Sequence, residues 1–263
     1  MCGILGIINF EKRSDEWIKE GEFQELLNTL SHRGPDADGI YIDEQIAFGH
    51  RRLSILDLSE KGKQPMKDVQ NRVLITFNGE IYNYQEIRQT LQSKGYSFKS
   101  NTDTEVILNA YLAYGKDCLS HFNGMFAFAI YDEHEQEIFI ARDRIGIKPL
   151  YYSEVDGQFL FASEPKAILG YRNFSTFYSL EAISSYFSFR YVLGGSSFFE
   201  NIEMLQPGHC MTIDLKTQKK TIEQYYELPI NVQKEDLGEE YYIQKVKEEF
   251  DKAVKYRMIS DVK

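Results

Sequence analysis

The fold of this chain is decided by the stretch MFAFAIYDEHEQEIFIAR, residues 125–142, in which two apolar, strand-like runs flank a polar turn. Two further apolar runs, at 150–153 and 159–162, follow at close spacing. Closely spaced strands joined by short turns predict an antiparallel meander. The helix-like segments lie before and after this meander and do not alternate with its strands. The sequence therefore predicts an α+β fold of antiparallel sheets covered by helices, in preference to a doubly wound parallel sheet.

The N-terminal half contains three further strand signals, at 2–8, 46–50 and 73–77, and two capped helix starts. The segment CGILGII at 2–8 has no polar face, so it predicts a buried strand close to the N-terminus. Asn83 with Glu86, and Thr102 with Glu105, have the spacing of a capping box. Each pair predicts a helix that begins just after its first residue.

Composition and charge restrict the classes of protein to which the chain can belong. With 263 residues and 43% hydrophobic content, it can bury a substantial core. A formal net charge of -10 argues against nucleic acid or an anionic membrane surface as a partner. The apolar stretches are of strand length, much shorter than the roughly 20 residues of a membrane-spanning helix. We therefore expect a soluble protein.

The cysteines and histidines argue against disulfides and metal binding. Cysteines at 2, 118 and 210 form neither an even disulfide set nor a closely spaced metal pair, and the five histidines are scattered. No signal peptide precedes Cys2. The sequence predicts a reducing, cytoplasmic setting and no metal site, with Cys118 and Cys210 as buried, unreactive thiols.

Cys2 is the most unusual candidate for chemistry. Removal of Met1 would leave a thiol and a free α-amine on the same residue. Their ordinary pKa values are roughly 8.5 and 7.7–8.0, so the amine can accept the thiol proton as the sulfur attacks an amide carbonyl. The strand alone supports a small core residue about equally well.

Other residues match what amide hydrolysis of an amino acid needs. Asn78-Gly79, at the end of a predicted strand, would offer a carboxamide and a glycine N–H as an oxyanion hole, although Asn-Gly is most often a turn. A guanidinium suits an α-carboxylate and a carboxylate suits an α-ammonium, which makes Arg52 and Asp103 candidates. Taken locally, a surface arginine and a helix-terminus acid are the simpler interpretations.

Eight motifs in a fixed order carry a resemblance to a known family. They are MCGI at 1–4, HRGPD at 32–36, RLSI at 52–55, NGEIYN at 78–83, DTEVI at 103–107, GMFAF at 124–128, RDRIGIKPLYY at 142–152 and ASEPKA at 162–167. Together they closely resemble the N-terminal glutaminase domain of glutamine-hydrolysing asparagine synthetases, a class II glutamine amidotransferase domain. The resemblance extends over about residues 2–214.

The resemblance implies a four-layer αββα Ntn-hydrolase sandwich of two antiparallel sheets between helical layers. It implies that Cys2, freed of Met1, is the nucleophile with its own α-amine as base, and that Asn78 and Gly79 form the oxyanion hole. The implied pocket for L-glutamine consists of Arg52 for the carboxylate, backbone groups of Leu53, Ser54, Ile55 and Leu56, the oxyanion residues, and Glu80 and Asp103 for the α-amino group. The implied reaction releases glutamate and ammonia through a cysteinyl thioester, without a cofactor. The segment 32–36 is expected to form a loop near the nucleophile, and 142–144 to have a structural role.

The sequence predicts three parts: the glutaminase domain at 2–214, a polar linker at 215–238, and, at 239–263, the first helix of a truncated synthetase domain. Apolar residues recur at helical spacing over 239–258 with no partner after them. Contact with the missing synthetase domain, or self-association such as a homodimer, is expected there. Because no glycine-rich phosphate loop is present, ATP and Mg²⁺ are expected only in the missing domain, which would amidate aspartate to asparagine.

Two alternative functions remain open from the sequence. The first keeps the glutaminase chemistry but delivers ammonia to another acceptor, as in other asparagine synthetase-like amidotransferases. The second is a non-catalytic fragment that binds glutamine or a partner protein, suggested by the unpartnered amphipathic helix.

Overall fold

The computed structural model describes residues 1–10, 17–172, 174–230 and 235–261. The strands within these ranges are β1 (Gly3–Asn9), β2 (Ala37–Ile42), β3 (Ile46–Arg52), β4 (Met66–Lys67), β5 (Val73–Ile81), β6 (Gly124–Asp132), β7 (Glu137–Arg142), β8 (Tyr151–Val155), β9 (Gln158–Ala162), β10 (Glu203–Met204), β11 (His209–Asp214) and β12 (Lys220–Gln224). The helices are α1 (Glu20–Asn28), α2 (Tyr84–Ser93), α3 (Asp103–Tyr114), α4 (Cys118–His121), α5 (Pro165–Leu169), α6 (Leu180–Phe189) and α7 (Glu239–Arg257).

The strands form two antiparallel sheets of six. The first has the order β10-β8-β9-β1-β3-β2, and the second has the order β12-β11-β7-β6-β5-β4. The predicted meander strands are all present, but they are divided between the sheets. β6 pairs with β7 in the second sheet, whereas β8 pairs with β9 in the first. The connection between β7 and β8 therefore crosses from one sheet to the other.

Three apolar clusters separate four layers. The middle cluster lies between the sheets and joins residues of both, such as Phe48 of β3 and Ile140 of β7. Within it, the rings of Phe48 and Phe161 meet edge to face at 5.4 Å. A second cluster packs Leu91 of α2 and Ile107 of α3 on the second sheet. A third packs Phe23 of α1 on the first sheet, together with residues of α5. The predicted α+β class is confirmed, with helices on both outer faces.

β1 is a central strand, paired with β3 on one side and β9 on the other. All of its residues are buried, as its lack of a polar face predicts. Gly6 leaves room for the Phe161 ring of the neighbouring strand β9, because a Cβ there would lie 2.1 Å from that ring. This placement holds the adjacent Cys2 at the end of a rigid strand.

The two predicted helix starts differ in how they form. The Thr102 side chain accepts a hydrogen bond from the backbone N–H of Glu105 at 3.2 Å and so caps α3 as predicted. α2 also begins after Asn83, but the Asn83 side chain does not cap the helix. The Asn83 carboxamide instead donates to the His121 carbonyl and accepts from the Asn123 N–H, because these tertiary partners lie within reach.

The segment predicted as a linker contains the edge of the second sheet. Within 215–238, β12 pairs with β11, which corrects the prediction for Lys220–Gln224. An edge strand is paired on one side only, so it can remain polar and exposed, and it then lacks the apolar signal of a buried strand. Residues 231–234 of the predicted linker and 262–263 of the last predicted segment lie outside the described residues.

Candidate functional site

One pocket at the strand ends collects nearly all of the predicted site residues. It is lined by Cys2 before β1, by Arg52, Leu53, Ile55 and Leu56 at and after β3, by Asn78, Gly79 and Glu80 in β5, and by Asp103 at the start of α3. Ser54 does not line the pocket; its backbone N–H donates to Asp36 at 2.7 Å. Neighbouring strands that end together thus bring distant parts of the sequence to one place.

Backbone groups of Leu53 hold the Cys2 thiol. The Leu53 N–H donates to Sγ at 3.4 Å, and Sγ lies 3.6 Å from the Leu53 carbonyl oxygen. Burial raises the pKa of the Cys2 thiol, while burial also lowers the pKa of the Met1 α-amine beside it.

The HRGPD loop fixes the backbone of Cys2, as its predicted place near the nucleophile suggests. Arg33 donates from Nε to the Cys2 carbonyl at 2.9 Å and from Nη1 to Glu164 at 2.9 Å. His32 lies 3.0 Å from the same Glu164 carboxylate. Burial acts to raise the pKa of Glu164, but hydrogen bonds from Arg33, His32 and Lys166 outweigh it and lower the pKa to about 2. These contacts position Cys2 without placing a histidine on its sulfur.

Asn78 presents an unpaired carboxamide to the pocket. The residue is 1% exposed, and neither its Oδ1 nor its Nδ2 has a hydrogen-bond partner among the described residues. Buried polar groups are nearly always paired, so an unpaired one needs a reason. The adjacent Gly79 admits no side chain, since a Cβ there would lie 2.2 Å from the Met125 carbonyl oxygen on β6. The pair therefore places an unpaired carboxamide donor beside a glycine that packs tightly against β6.

Arg52 is buried, in contrast to the surface position that its local sequence suggested. Its guanidinium donates to the carbonyls of Ser59 at 3.0 Å, Leu56 at 3.3 Å and Asp57. A guanidinium has five N–H groups, so these three bonds leave others free for a carboxylate in the pocket. Gly62 must also lack a side chain, because a Cβ there would lie 2.1 Å from Arg52 Nη2.

Two carboxyl groups, those of Glu80 and Asp103, also line the pocket. Burial raises the pKa of Asp103 to about 7, although the Ile81 N–H donates to its Oδ2 at 3.0 Å and the Glu80 charge raises it further. Burial also raises the pKa of Glu80, against the lowering effect of Lys148 and Arg257. The pair can compensate a positively charged group that enters the pocket.

Lys148 is a pocket residue that sequence reasoning missed. It is 3% exposed, and burial lowers the pKa of its ammonium group. Within its motif, at 142–152, only residues 142–144 were assigned a role, which was structural. Asp143 accepts from the backbone N–H groups of Ile147 and Lys148 at 2.9 Å each, which confirms a structural role for the start of the motif. Sequence periodicity does not show how many hydrogen bonds a loop carboxylate such as Asp143 makes. The place of Lys148 within the motif could, however, have suggested that it is a pocket residue.

His50 also lines the pocket but is unsuited to proton transfer. Burial lowers its pKa to about 3, and its Nε2 lies 3.1 Å from the Phe77 carbonyl.

The other two cysteines, Cys118 and Cys210, are buried as predicted. Burial raises the pKa of the Cys118 thiol, and it raises the pKa of the Cys210 thiol to about 11. In the described ranges, no three His, Cys, Asp or Glu side chains are grouped closely enough to hold a metal ion.

A search for membrane spans gives no candidate. Across the part of the chain that the structure describes, every helix is too short or too polar to cross a bilayer.

Comparison with known proteins identifies similar chains. The family model described as a glutamine amidotransferase domain matches residues 1–226. A glutamine-hydrolysing asparagine synthetase of Bacillus subtilis is 40% identical over 213 residues, which are 81% of this chain and 33% of that protein. A second one from the same organism is 34% identical over an aligned length of 272 residues, covering 100% of this chain and 42% of that protein. The chain spans less than half the length of these relatives.

A solved structure shares the fold. The glutamine phosphoribosylpyrophosphate amidotransferase of Bacillus subtilis, complexed with ADP and GMP, aligns with a TM-score of 0.60 at 20% identity, over 88% of this chain and 50% of that chain. Together with the two stacked antiparallel sheets, this similarity confirms the predicted αββα Ntn-hydrolase sandwich.

Proposed function

Because this chain belongs to the glutamine amidotransferase domain family, we propose that it hydrolyses L-glutamine to L-glutamate and ammonia with the Cys2 thiol as nucleophile. The observation that carries the proposal is the placement of Cys2 in one pocket with the unpaired carboxamide of Asn78. A nucleophile beside a preorganised donor is the arrangement that acyl transfer needs.

The first half of the reaction forms a thioester. After removal of Met1, the Cys2 α-amine takes the thiol proton while Sγ bonds to the side-chain carbonyl carbon of glutamine. The oxyanion that develops accepts a hydrogen bond from the Asn78 carboxamide N–H, with Gly79 leaving room for it. Collapse of this intermediate breaks the C–N bond, and the α-ammonium returns its proton to the amide nitrogen, which leaves as ammonia. Water then attacks the thioester, releasing glutamate and restoring the thiol.

The charges of the pocket suit both ends of a free amino acid. We assign the α-carboxylate to Arg52, whose guanidinium is held by three loop carbonyls and retains free N–H groups. We assign the α-ammonium to Glu80 and Asp103. With a pKa of about 7, Asp103 loses its proton readily when a positive charge arrives beside it. Backbone groups of the loop after Arg52 complete this pocket.

We further propose that the ammonia serves ATP-dependent amidation of aspartate to asparagine. The support is the similarity to two glutamine-hydrolysing asparagine synthetases, of which this chain covers 33% and 42%. ATP and Mg²⁺ would then bind to the synthetase segment that such relatives carry, while the glutaminase pocket needs no cofactor. The exposed apolar face of α7, including Val246 at 69% and Phe250 at 68% exposure, supports packing against that segment or a second copy. The free thiols support a reducing, cytoplasmic setting.

The test measures processing and activity together. The mass of the purified protein should correspond to loss of Met1, and steady ammonia release from glutamine should disappear in Cys2→Ala. A matched control is Cys210→Ala, which removes a buried thiol outside the pocket and should keep the activity. An active Cys2→Ala variant, or an active protein that retains Met1, would overturn the assignment of the nucleophile. Glutamine binding without turnover by wild type would instead favour the non-catalytic alternative.

A further inference from the structure

The loop that follows Arg52 depends on an unusual backbone conformation. We call residues 53–59 the pocket loop, because its residues Leu53, Ile55 and Leu56 line the pocket. Asp57, near its middle, has a φ of 49°, in the left-handed region that non-glycine residues adopt at a cost. The contacts that Asp57 makes inside and outside the loop favour this conformation.

Asp57 is bonded through each of its polar groups. Its carbonyl accepts from the Arg52 guanidinium, and its carboxylate accepts from the Asn101 N–H at 3.0 Å and from Ser59. Its own backbone N–H donates to Oδ2 of Asp261 at 2.8 Å. Asp57 thus connects the proposed glutamine carboxylate site on one side with Asp261, 204 positions later in the chain, on the other.

Asp261 holds the pocket loop at two points. In addition to its carboxylate bond to Asp57, its backbone N–H donates to the Ile55 carbonyl at 3.1 Å. A carboxylate that accepts from a backbone N–H makes a charge-assisted bond, which is stronger than a neutral one. Two bonds to residues two positions apart restrict both the position and the orientation of the loop backbone.

The end of α7 carries Asp261 to this place. The Tyr256 hydroxyl donates to Glu86 of α2 at 2.8 Å, and the Arg257 guanidinium lies 4.6 Å from the centre of the Tyr82 ring. Ile259 packs against the same apolar cluster as Leu56 of the pocket loop. The preceding part of α7 is exposed, so these last residues are where the helix meets the glutaminase fold.

From this geometry we infer that Asp261 is a positioning residue for glutamine binding, which ties the pocket loop and Arg52 to the end of α7. The inference rests on the proposed glutaminase function for its substrate. Movement of the segment after α7 would release or tighten the two bonds, and through Asp57 it would change the place of the Arg52 guanidinium. Glutamine affinity would thereby respond to the segment that follows the glutaminase fold.

The experiment compares Asp261→Ala with Asp261→Asn and with Asp251→Ala, a control on the exposed part of α7. Steady-state kinetics should show that Asp261→Ala raises KM for glutamine roughly tenfold while kcat changes less than about twofold, as expected for loss of a charge-assisted bond that acts only on binding. Asp261→Asn keeps an acceptor oxygen, so it should recover most of the affinity. Asp251→Ala should match wild type.

Hydrogen–deuterium exchange supplies a readout that needs no turnover. In the full chain without substrate, Asp261→Ala should exchange the amides of the pocket loop roughly fivefold faster or more, with the amides of β1 and β5 unchanged. Unchanged exchange in the loop together with an unchanged KM would overturn the inference. If wild type shows no glutaminase activity, the proposed function fails, but the exchange comparison still decides the role of Asp261. If Asp261→Ala also speeds exchange in β1 and β5, its effect is not confined to the pocket loop and the inference is overturned.

Discussion

Replacement of Asn78 by alanine should slow glutamine hydrolysis without weakening the fold, which is unusual for a buried position. Neither side-chain polar atom of Asn78 is paired among the described residues, and the residue is 1% exposed. A buried, unpaired polar group costs about 1–3 kcal/mol. The packing lost with so small a group, beside an open pocket, costs at most about 1 kcal/mol. The free energy of unfolding should therefore stay the same or rise by about 2 kcal/mol.

The same substitution removes the proposed oxyanion donor. Loss of one such donor lowers kcat by roughly 100- to 1000-fold, equivalent to about 2.7–4 kcal/mol. Because the negative charge on oxygen develops in the transition state, KM should change little. Ammonia release measures the kinetic effect, and thermal unfolding measures stability, with about 2–4 °C of Tm for each kcal/mol in a chain of this size.

Gln64→Met is the variant whose change in the free energy of unfolding is compared with that of Asn78→Ala. The Gln64 carboxamide is buried but paired, accepting from the Phe77 N–H at 2.7 Å and donating to Thr104 at 3.1 Å. Its replacement by an apolar side chain of similar shape leaves the Phe77 N–H unpaired and should lower stability by about 1–3 kcal/mol. The reasoning is refuted if Asn78→Ala loses as much stability as Gln64→Met, or if it retains the kcat of wild type.

Two further predictions concern titrating groups of the pocket. The Asp103 pKa of about 7 lies above its ordinary 3.8, so protonated Asp103 stabilises the fold at low pH and this contribution is lost as pH rises from about 4 to 7. In Asp103→Asn, the free energy of unfolding measured with urea should not show this decrease between about pH 4 and 7, and KM for glutamine should be raised above pH 7. A difference in stability between wild type and Asp103→Asn that does not vary with pH would contradict the prediction. Burial raises the pKa of the Cys2 thiol, and the Lys148 charge partly offsets this rise. Lys148→Met should therefore move the pH dependence of thiol alkylation by iodoacetamide to higher pH, with Lys148→Arg closer to wild type; an unmoved profile would contradict the prediction.

Local sequence patterns predicted the elements of this fold because they record local physics. The all-apolar segment 2–8 became a central strand, and Thr102 caps α3 through the predicted bond. Predictions from local sequence failed where the structure depends on hydrogen-bond partners that are distant in the sequence. β12 can be polar because it is an edge strand that is paired on one side only. The Asn83 side chain bonds to the His121 carbonyl and does not cap α2.

The candidate site was predicted from motif identity more than from local chemistry. Periodicity marks which face is buried, so it could not show that Arg52 is enclosed by its own loop or that Lys148 enters the same pocket. Those facts depend on where strands end relative to one another. The assignment of roles to the pocket residues stays a prediction that the variants above examine.

The sequence by itself determined the α+β class, the approximate positions of several strands and helices, and the set of candidate residues, because hydrophobic period, caps and motif order are properties of neighbouring positions. Only the tertiary structure decided that the meander is shared between two sheets, that Asn78 is unpaired and that Asp103 has a raised pKa. It alone placed Asp261 on the pocket loop. Burial, desolvation and bonds across 204 positions arise from packing, and no local pattern of residues encodes them.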